Sequence, residues 1–305
     1  MDATPSVALP LGSPAGLPAH PPEPMTIRGR VFAWGSRTYL MGIINVTPDS
    51  FSGDGMVAQG LGAAVDLGRK MSLEGANILD VGGESSRPGH PEVPVEEELA
   101  RVIPVVRALR EALPDTPLSI DTVKPAVARA ALEAGADVVN DVAAVGPSDE
   151  MARLVAELQS PYVVMHGRAE ARYTNLMAEV LADLQRAIER ALALGVAWER
   201  LIVDPGIGFG KTAEHNLTLL DQLAVLQLLG RPVLIGTSRK STIGKVLDVA
   251  ADERLAGTLA TTAMAVASGV DLIRVHDVEP NRRAALVADA VTRPGTLGQR
   301  GWQPR

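Results

Sequence analysis

Five short segments carry the residues best suited to chemistry. MGIINVTPDSFSGDG (41–55) is an apolar run that breaks into a polar, glycine-rich loop. GGESSRPG (82–89) is a second such loop, with an arginine among turn residues. DPGIGFGK (204–211) spaces three glycines alternately before a lysine, while GTSRKS (236–241) and IRVHD (273–277) end apolar runs in basic clusters. Arginine in such loops suits a bound anion, because its planar fork grips two oxygens at once. Carboxylates and amides beside it suit the N–H edge of a flat polar ring. DPGIGFGK narrowly misses a nucleoside-triphosphate loop, since Pro205 stands where G-x-x-x-x-G-K-[ST] needs its first glycine. No cysteine is present, which excludes thiolate nucleophiles, thiolate metal sites and disulfides. The five histidines show no paired spacing such as H-E-x-x-H, which argues against a protein-bound zinc.

These segments need a scaffold that brings them together. From about residue 31 an apolar run, a polar cluster and a helix-periodic stretch recur. The runs are TYLMGIIN (38–45), NILDV (77–81), LSID (118–121), DVVN (137–140), YVVM (162–165), LIVD (201–204), VLIG (233–236) and LIRV (272–275). Helical stretches lie near 61–75, 95–113, 124–134, 148–158, 176–195, 215–229, 252–268 and 280–291. Eight strands alternating with eight helices is the arithmetic of an α/β fold of the (β/α)8 barrel type. An open doubly wound sheet also alternates, but eight units in one domain favour closure. Polar residues end the runs: Asn45, Glu84 with Arg87, Asp121, Asn140, His166, Asp204, Lys240, and Arg274 with His276. In a barrel all these ends face one mouth. Singly, an Asp or Asn after a strand is a turn former or helix cap. Arginine, lysine and histidine are not, and eight positions in register point to a shared site.

Composition narrows the function classes. With 46% of its 305 residues apolar, the chain can bury a large core unaided. Its net charge of −7 leaves no excess of cations for nucleic acid, and three residues each of Trp, Tyr and Phe leave no wide stacking platform. The first 24 residues hold seven prolines and no Lys or Arg, unlike a signal peptide. Residues 1–26 are therefore expected to be a disordered Pro-rich extension, 27–296 one catalytic barrel, and 297–305 a flexible tail. No run approaches the length of a membrane span. A cytoplasmic protein that engages no membrane is expected.

Taken together, MGIINVTPDSFS, GGESSRPG, SIDT, VND, DPGIGFGK, SRKS and IRVHD resemble, in order, the motifs of dihydropteroate synthase, the folate-pathway family targeted by sulfonamides. The resemblance runs from about residue 38 to 292. It implies a (β/α)8 barrel, usually a homodimer, that joins 4-aminobenzoate to 6-hydroxymethyl-7,8-dihydropterin pyrophosphate and releases pyrophosphate with magnesium (Mg2+) present. Matched position by position, Asn45 is the magnesium-linked asparagine, and Ser86 and Arg87 lie near pyrophosphate and aminobenzoate. Asp121, Asn140 and Asp204 bind the pterin, with Met165 lining the pocket. Lys240 contacts pterin and substrate, Ser238 neighbours it, and Arg274 with His276 forms the pyrophosphate-side pair. Three positions depart from the pattern. Phe-Ser-Gly-Asp-Gly replaces Phe-Ser-Asp-Gly-Gly, which leaves the acidic role of Asp54 open. Ser86 replaces a common threonine and keeps the hydroxyl, and Gly-Arg-Ala after His166 shortens the usual loop.

The chemistry is coherent with these residues. An arylamine is neutral and nucleophilic at pH 7, so no serine–histidine–aspartate relay is needed. Breaking the carbon–oxygen bond is slow and leaves positive charge on the pterin methylene. Catalysis then rests on stabilising the leaving group and aligning two substrates, with Arg87, Lys240, Arg274 and His276 supplying local positive charge. Arg274 can stack on the pterin face, with Phe209 a second candidate. Other residues have plainer readings: Glu84 as structural, Lys211 as a solvated helix-start lysine, His166 as a core histidine, and His20 and His90 as surface residues. A methyltetrahydrofolate-binding methyltransferase domain would lack GGESSRPG and SRKS. A non-catalytic pterin-binding homologue would have lost its anion-binding residues.

Overall fold

The computed structural model describes residues 21–46, 56–84 and 93–293. It opens on an antiparallel hairpin, β1 (Met25–Ile27) and β2 (Arg30–Phe32). Arg28 and Gly29 form its two-residue turn with φ of 50° and 73°, the backbone such a tight turn demands. The sequence places the end of the extension at residue 26, whereas the strand begins at Met25. Met25 and Ile27 alternate inward with Phe32, and all three are buried. The expectations for residues 1–20 and for the tail 297–305 lie outside the described residues.

Eight parallel strands follow: β3 (Tyr39–Asn45), β4 (Ile78–Gly82), β5 (Leu118–Asp121), β6 (Val138–Asp141), β7 (Tyr162–Met165), β8 (Leu201–Asp204), β9 (Leu234–Ile235) and β10 (Leu272–Val275). They pair in the order β8-β7-β6-β5-β4-β3-β10-β9, and a parallel bridge between Val203 and Val233 closes the ring. The helices are α1 (Met56–Glu74), α2 (Val95–Ala112), α3 (Pro125–Ala134), α4 (Glu150–Leu158), α5 (Leu176–Ala193), α6 (Ala213–Asp221), α7 (Ser241–Leu247), α8 (Leu255–Ala267) and α9 (Val278–Thr292). The expected (β/α)8 barrel is present. Two details differ from the sequence reading. The stretch 215–229 splits, and Leu223, Leu226 and Leu229, spaced by three, form the buried stripe of a 3-10 helix. Helix α7 is additional, a two-turn insertion after β9 whose Gly244 lies close against the Arg254 guanidinium.

Successive strand residues point to opposite faces, and this alternation sorts the interior into layers. Leu79, Val81, Leu118, Ile120, Val139 and Val164 belong to the core shared with the helices. Met41, Ile78, Val138, Val163, Ile202, Leu234 and Leu272 point inward, where the hairpin, Trp34 and Tyr39 join them. Phe32 stacks at 4.8 Å from Tyr39 and 5.4 Å from Trp34, so the lower barrel is an apolar plug. Two residues further along the same inward face come Asp80, Asn140, Met165, Asp204 and Arg274. The polar layer therefore sits directly on the apolar one, at the C-terminal mouth.

Candidate active site

Arg274, inward on β10, is the centre of the polar layer. Its Nε donates to Asp80 Oδ2 at 2.6 Å and one terminal nitrogen to Asp121 Oδ2 at 2.7 Å. Asp80 Oδ2 also accepts from Asn140 Nδ2 at 3.1 Å. Because a carboxylate only accepts, this bond turns the Asn140 amide oxygen away from Asp80. Two buried carboxylates share one guanidinium. Burial, opposed by Arg274 and reinforced by Asp80, pushes the Asp121 carboxyl up to about 7. The paired acids in turn hold the Arg274 guanidinium above its ordinary value despite its burial. With two of its five N–H donors held by Asp80 and Asp121, the Arg274 guanidinium is fixed in its plane. Its side chain keeps 19% of its surface exposed.

Across the mouth, Asp204 ends β8 and begins the glycine loop. Its Oδ1 accepts from Gly206 N at 2.7 Å, and Oδ2 accepts no hydrogen bond among the described residues. Burial raises its pKa, opposed by Lys240 nearby. The loop turns through Gly206, Gly208 and Gly210, with φ of 67°, 85° and 61°. A Cβ on Gly206 would lie 1.8 Å from the His166 carbonyl oxygen, and one on Gly210 would lie 2.1 Å from that of Arg168. The alternating glycines are thus required by conformation and by contact. Lys240 reaches over the loop, its ammonium donating to Ile207 O and lying 4.9 Å from the centre of the Phe209 ring. Burial lowers the Lys240 pKa to about 8.

Ser238 and His276 face each other from neighbouring strand ends. Ser238 Oγ accepts from His276 N at 3.2 Å and shares a second hydrogen bond with His276 Nδ1 at 2.9 Å. Arg239, at φ 57°, makes two bonds to Asp277 and fastens these strand ends together. Met165 is buried on the inward face of β7, and Asn45 stands exposed at the top of β3 beside Gly82. The structure therefore brings Asn45, Asp121, Asn140, Met165, Asp204, Phe209, Ser238, Lys240, Arg274 and His276 to one mouth. Ser86, Arg87, Asp54 and His90 lie outside the described residues. Glu84 binds Lys124, which also pairs with the buried Glu98 at 2.7 Å, in keeping with a structural role.

The sequence reading left out Asp80, although an acid between Ile78 and Gly82 on the inward phase of an apolar strand is a visible signal. It also read Lys211 as solvated. Lys211 is drawn instead into the loop, and burial lowers its pKa to about 7. Beside it, burial and the Lys211 charge lower fully buried His166 to about 4, so its ring is neutral.

Comparison with known proteins gives a consistent result. A family model described as pterin binding enzyme matches residues 41–276. A dihydropteroate synthase of Clostridium beijerinckii is 46% identical over 88% of this chain and 100% of that protein. Among solved structures, dihydropteroate synthase from Xanthomonas albilineans with 4-aminobenzoic acid superposes with a TM-score of 0.83 at 44% identity, covering 89% of this chain and 99% of that one. The same organism's enzyme in complex with 7,8-dihydropteroate superposes at 0.80, with 42% identity and the same coverage.

Proposed function

The chain belongs to the dihydropteroate synthase family of pterin-binding enzymes, and on that premise we propose the roles its residues play. It joins 4-aminobenzoate to 6-hydroxymethyl-7,8-dihydropterin pyrophosphate, forming 7,8-dihydropteroate and releasing pyrophosphate. The observation that carries the assignment of roles is the polar layer itself. Acceptors on β5, β6 and β8 converge around an arginine whose plane is fixed at two edges.

In this reading the pterin lies flat against the Arg274 face. Asp204 Oδ2 and the Asn140 amide oxygen accept its N–H donors, Asp121 closes the pocket edge, and Met165 packs on the ring. The arylamine nitrogen attacks the methylene carbon while the carbon–oxygen bond breaks. The bond's electron pair leaves with pyrophosphate, and the proton that the amine loses passes to the released pyrophosphate or to solvent. Ionised Asp204 favours the positive charge that develops on the pterin, and alignment of the two reactants supplies the rest. Lys240, with Phe209 beneath it, borders the aminobenzoate side. Ser238 orients His276 toward the leaving group, and the family resemblance assigns Ser86 and Arg87 to pyrophosphate and aminobenzoate.

Asn45 offers one neutral oxygen, and among the described residues no group of three or more His, Asp or Glu side chains is placed to hold a metal. That donor set fits magnesium taking most of its ligands from pyrophosphate and water. When bound, it would neutralise leaving-group charge. We also assign a homodimer, supported by exposed apolar side chains on the last helices: Val246 and Leu247 on α7, Met264 on α8, and Val287 and Val291 on α9. We also place the protein in the cytoplasm; no described helix is long and apolar enough to cross a membrane. The decisive assay is pyrophosphate release from the pterin substrate with and without 4-aminobenzoate. Release that depends on the aminobenzoate supports these roles, and its absence overturns them. Sedimentation of the wild type and of Val287→Lys tests the dimer.

A further inference from the structure

Lys211 ends the glycine loop and meets one residue assigned to substrate, Phe209, through its backbone carbonyl. Its Nζ donates to Gly206 O at 3.0 Å, to Phe209 O at 3.1 Å and to His166 Nδ1 at 2.8 Å. With His166 O as a longer contact at 3.4 Å, four acceptors surround the three N–H bonds of the ammonium. When Lys211 is protonated it cannot accept, so His166 Nδ1 does, and the ring proton on Nε2 donates to Asp183 Oδ2 at 3.1 Å. Asp183 also receives Arg168 Nε at 3.0 Å and its Nη2 at 2.7 Å. The chain Lys211–His166–Asp183–Arg168 thus ties the β8–α6 loop to the β7–α5 loop. These are the same two loops whose backbones meet at Gly206 and Gly210.

The pinned loop carries three groups of the site. Gly206 N holds Asp204, Ile207 O receives the Lys240 ammonium, and the Phe209 ring lies under that ammonium. We propose that Lys211, seated on His166 Nδ1, is a positioning residue that sets where Asp204 and Lys240 stand. Its loss frees the loop without removing any group that touches substrate. This rests on the synthase reading above.

The test is Lys211→Met, which keeps length and apolar bulk but donates nothing. Its KM for the pterin substrate is expected to rise at least about tenfold, as loss of one bond of about 1.4 kcal/mol implies. Amide exchange at Gly206 and Gly208 is expected to accelerate by a similar factor. His166→Leu, which removes the acceptor, should reproduce both effects. His166→Asn, whose amide oxygen can stand in for Nδ1, should stay within about threefold of the wild type. If Lys211→Met does not fold, the pair of His166 variants decides the question alone. KM values within twofold of the wild type with unchanged exchange, whatever the melting temperature, would make Lys211 a purely structural residue. A wild type that releases no pyrophosphate would sink the synthase reading instead. In that case loop exchange and calorimetric pterin affinity still judge the role of Lys211.

Discussion

Asp204→Asn separates the two tasks of a single carboxylate. In the folded protein Oδ1 accepts from Gly206 N at 2.7 Å, which is a loop cap, while Oδ2 faces the mouth. Asparagine can keep the first bond through its amide oxygen and then places an NH2 where Oδ2 stood. A donor then meets a pterin donor. Hydrogen bonds to charged groups contribute about 1.5–3 kcal/mol, so losing one predicts a fall in pterin affinity of roughly 10- to 150-fold. The melting temperature should move little, because the cap survives and the barrel's stability lies in its apolar layers. Calorimetric titration with a pterin lacking pyrophosphate reads the affinity directly. The wild-type advantage should also shrink as pH falls, since burial raises the Asp204 pKa and the carboxylate takes up a proton. The variant, with nothing to titrate there, should show no such decline. Unchanged affinity with a lowered melting temperature would reduce Asp204 to a loop cap and remove the anchor of the pterin assignment.

Other perturbations test the surrounding layers. Arg274→Ala is expected to weaken a pterin lacking pyrophosphate about as much as the pyrophosphate ester, because the plane fixed by Asp80 and Asp121 is assigned to stacking on the ring; a loss confined to the ester, measured by calorimetry, would assign the arginine to pyrophosphate instead. Asp121, raised to about 7, binds more protons folded than unfolded between the unfolded value near 3.8 and about 7. Its contribution to stability therefore falls as pH rises through that window, by up to about 1.4 kcal/mol per unit, and Asp121→Asn should remove that slope from denaturant-unfolding free energies. Phe32→Ala should destabilise the fold by about 3–5 kcal/mol in urea while leaving substrate KM unchanged, because the plug lies below the polar layer; a raised KM would show that the plug shapes the site.

How much of this was legible in the sequence follows from the range of the interactions involved. Strand positions were readable because β-branched runs and their polar ends are local signals, and every run from 38–45 to 272–275 became a barrel strand. The mouth residues were readable for the same reason: the end of a parallel barrel strand has only one place to be. Pairing was not. Arg274 and Asp80 are 194 residues apart, and nothing local says that two carboxylates fix the plane of the guanidinium. Lys211 failed in the opposite direction. A lysine before a helix is ordinarily solvated, and only the left-handed path through Gly206, Gly208 and Gly210 curls the chain back so that its own carbonyls collect the ammonium. The glycines were visible and their alternation was noted, but the position 45 residues upstream that supplies His166 was not. Helix α7 was missed because seven residues with a central glycine carry little periodicity. Local pattern thus placed the strands and the residues at their ends. Long-range charge pairing decides what each of those residues has left to offer a substrate, and that division separates the groups that bind from the groups that only position.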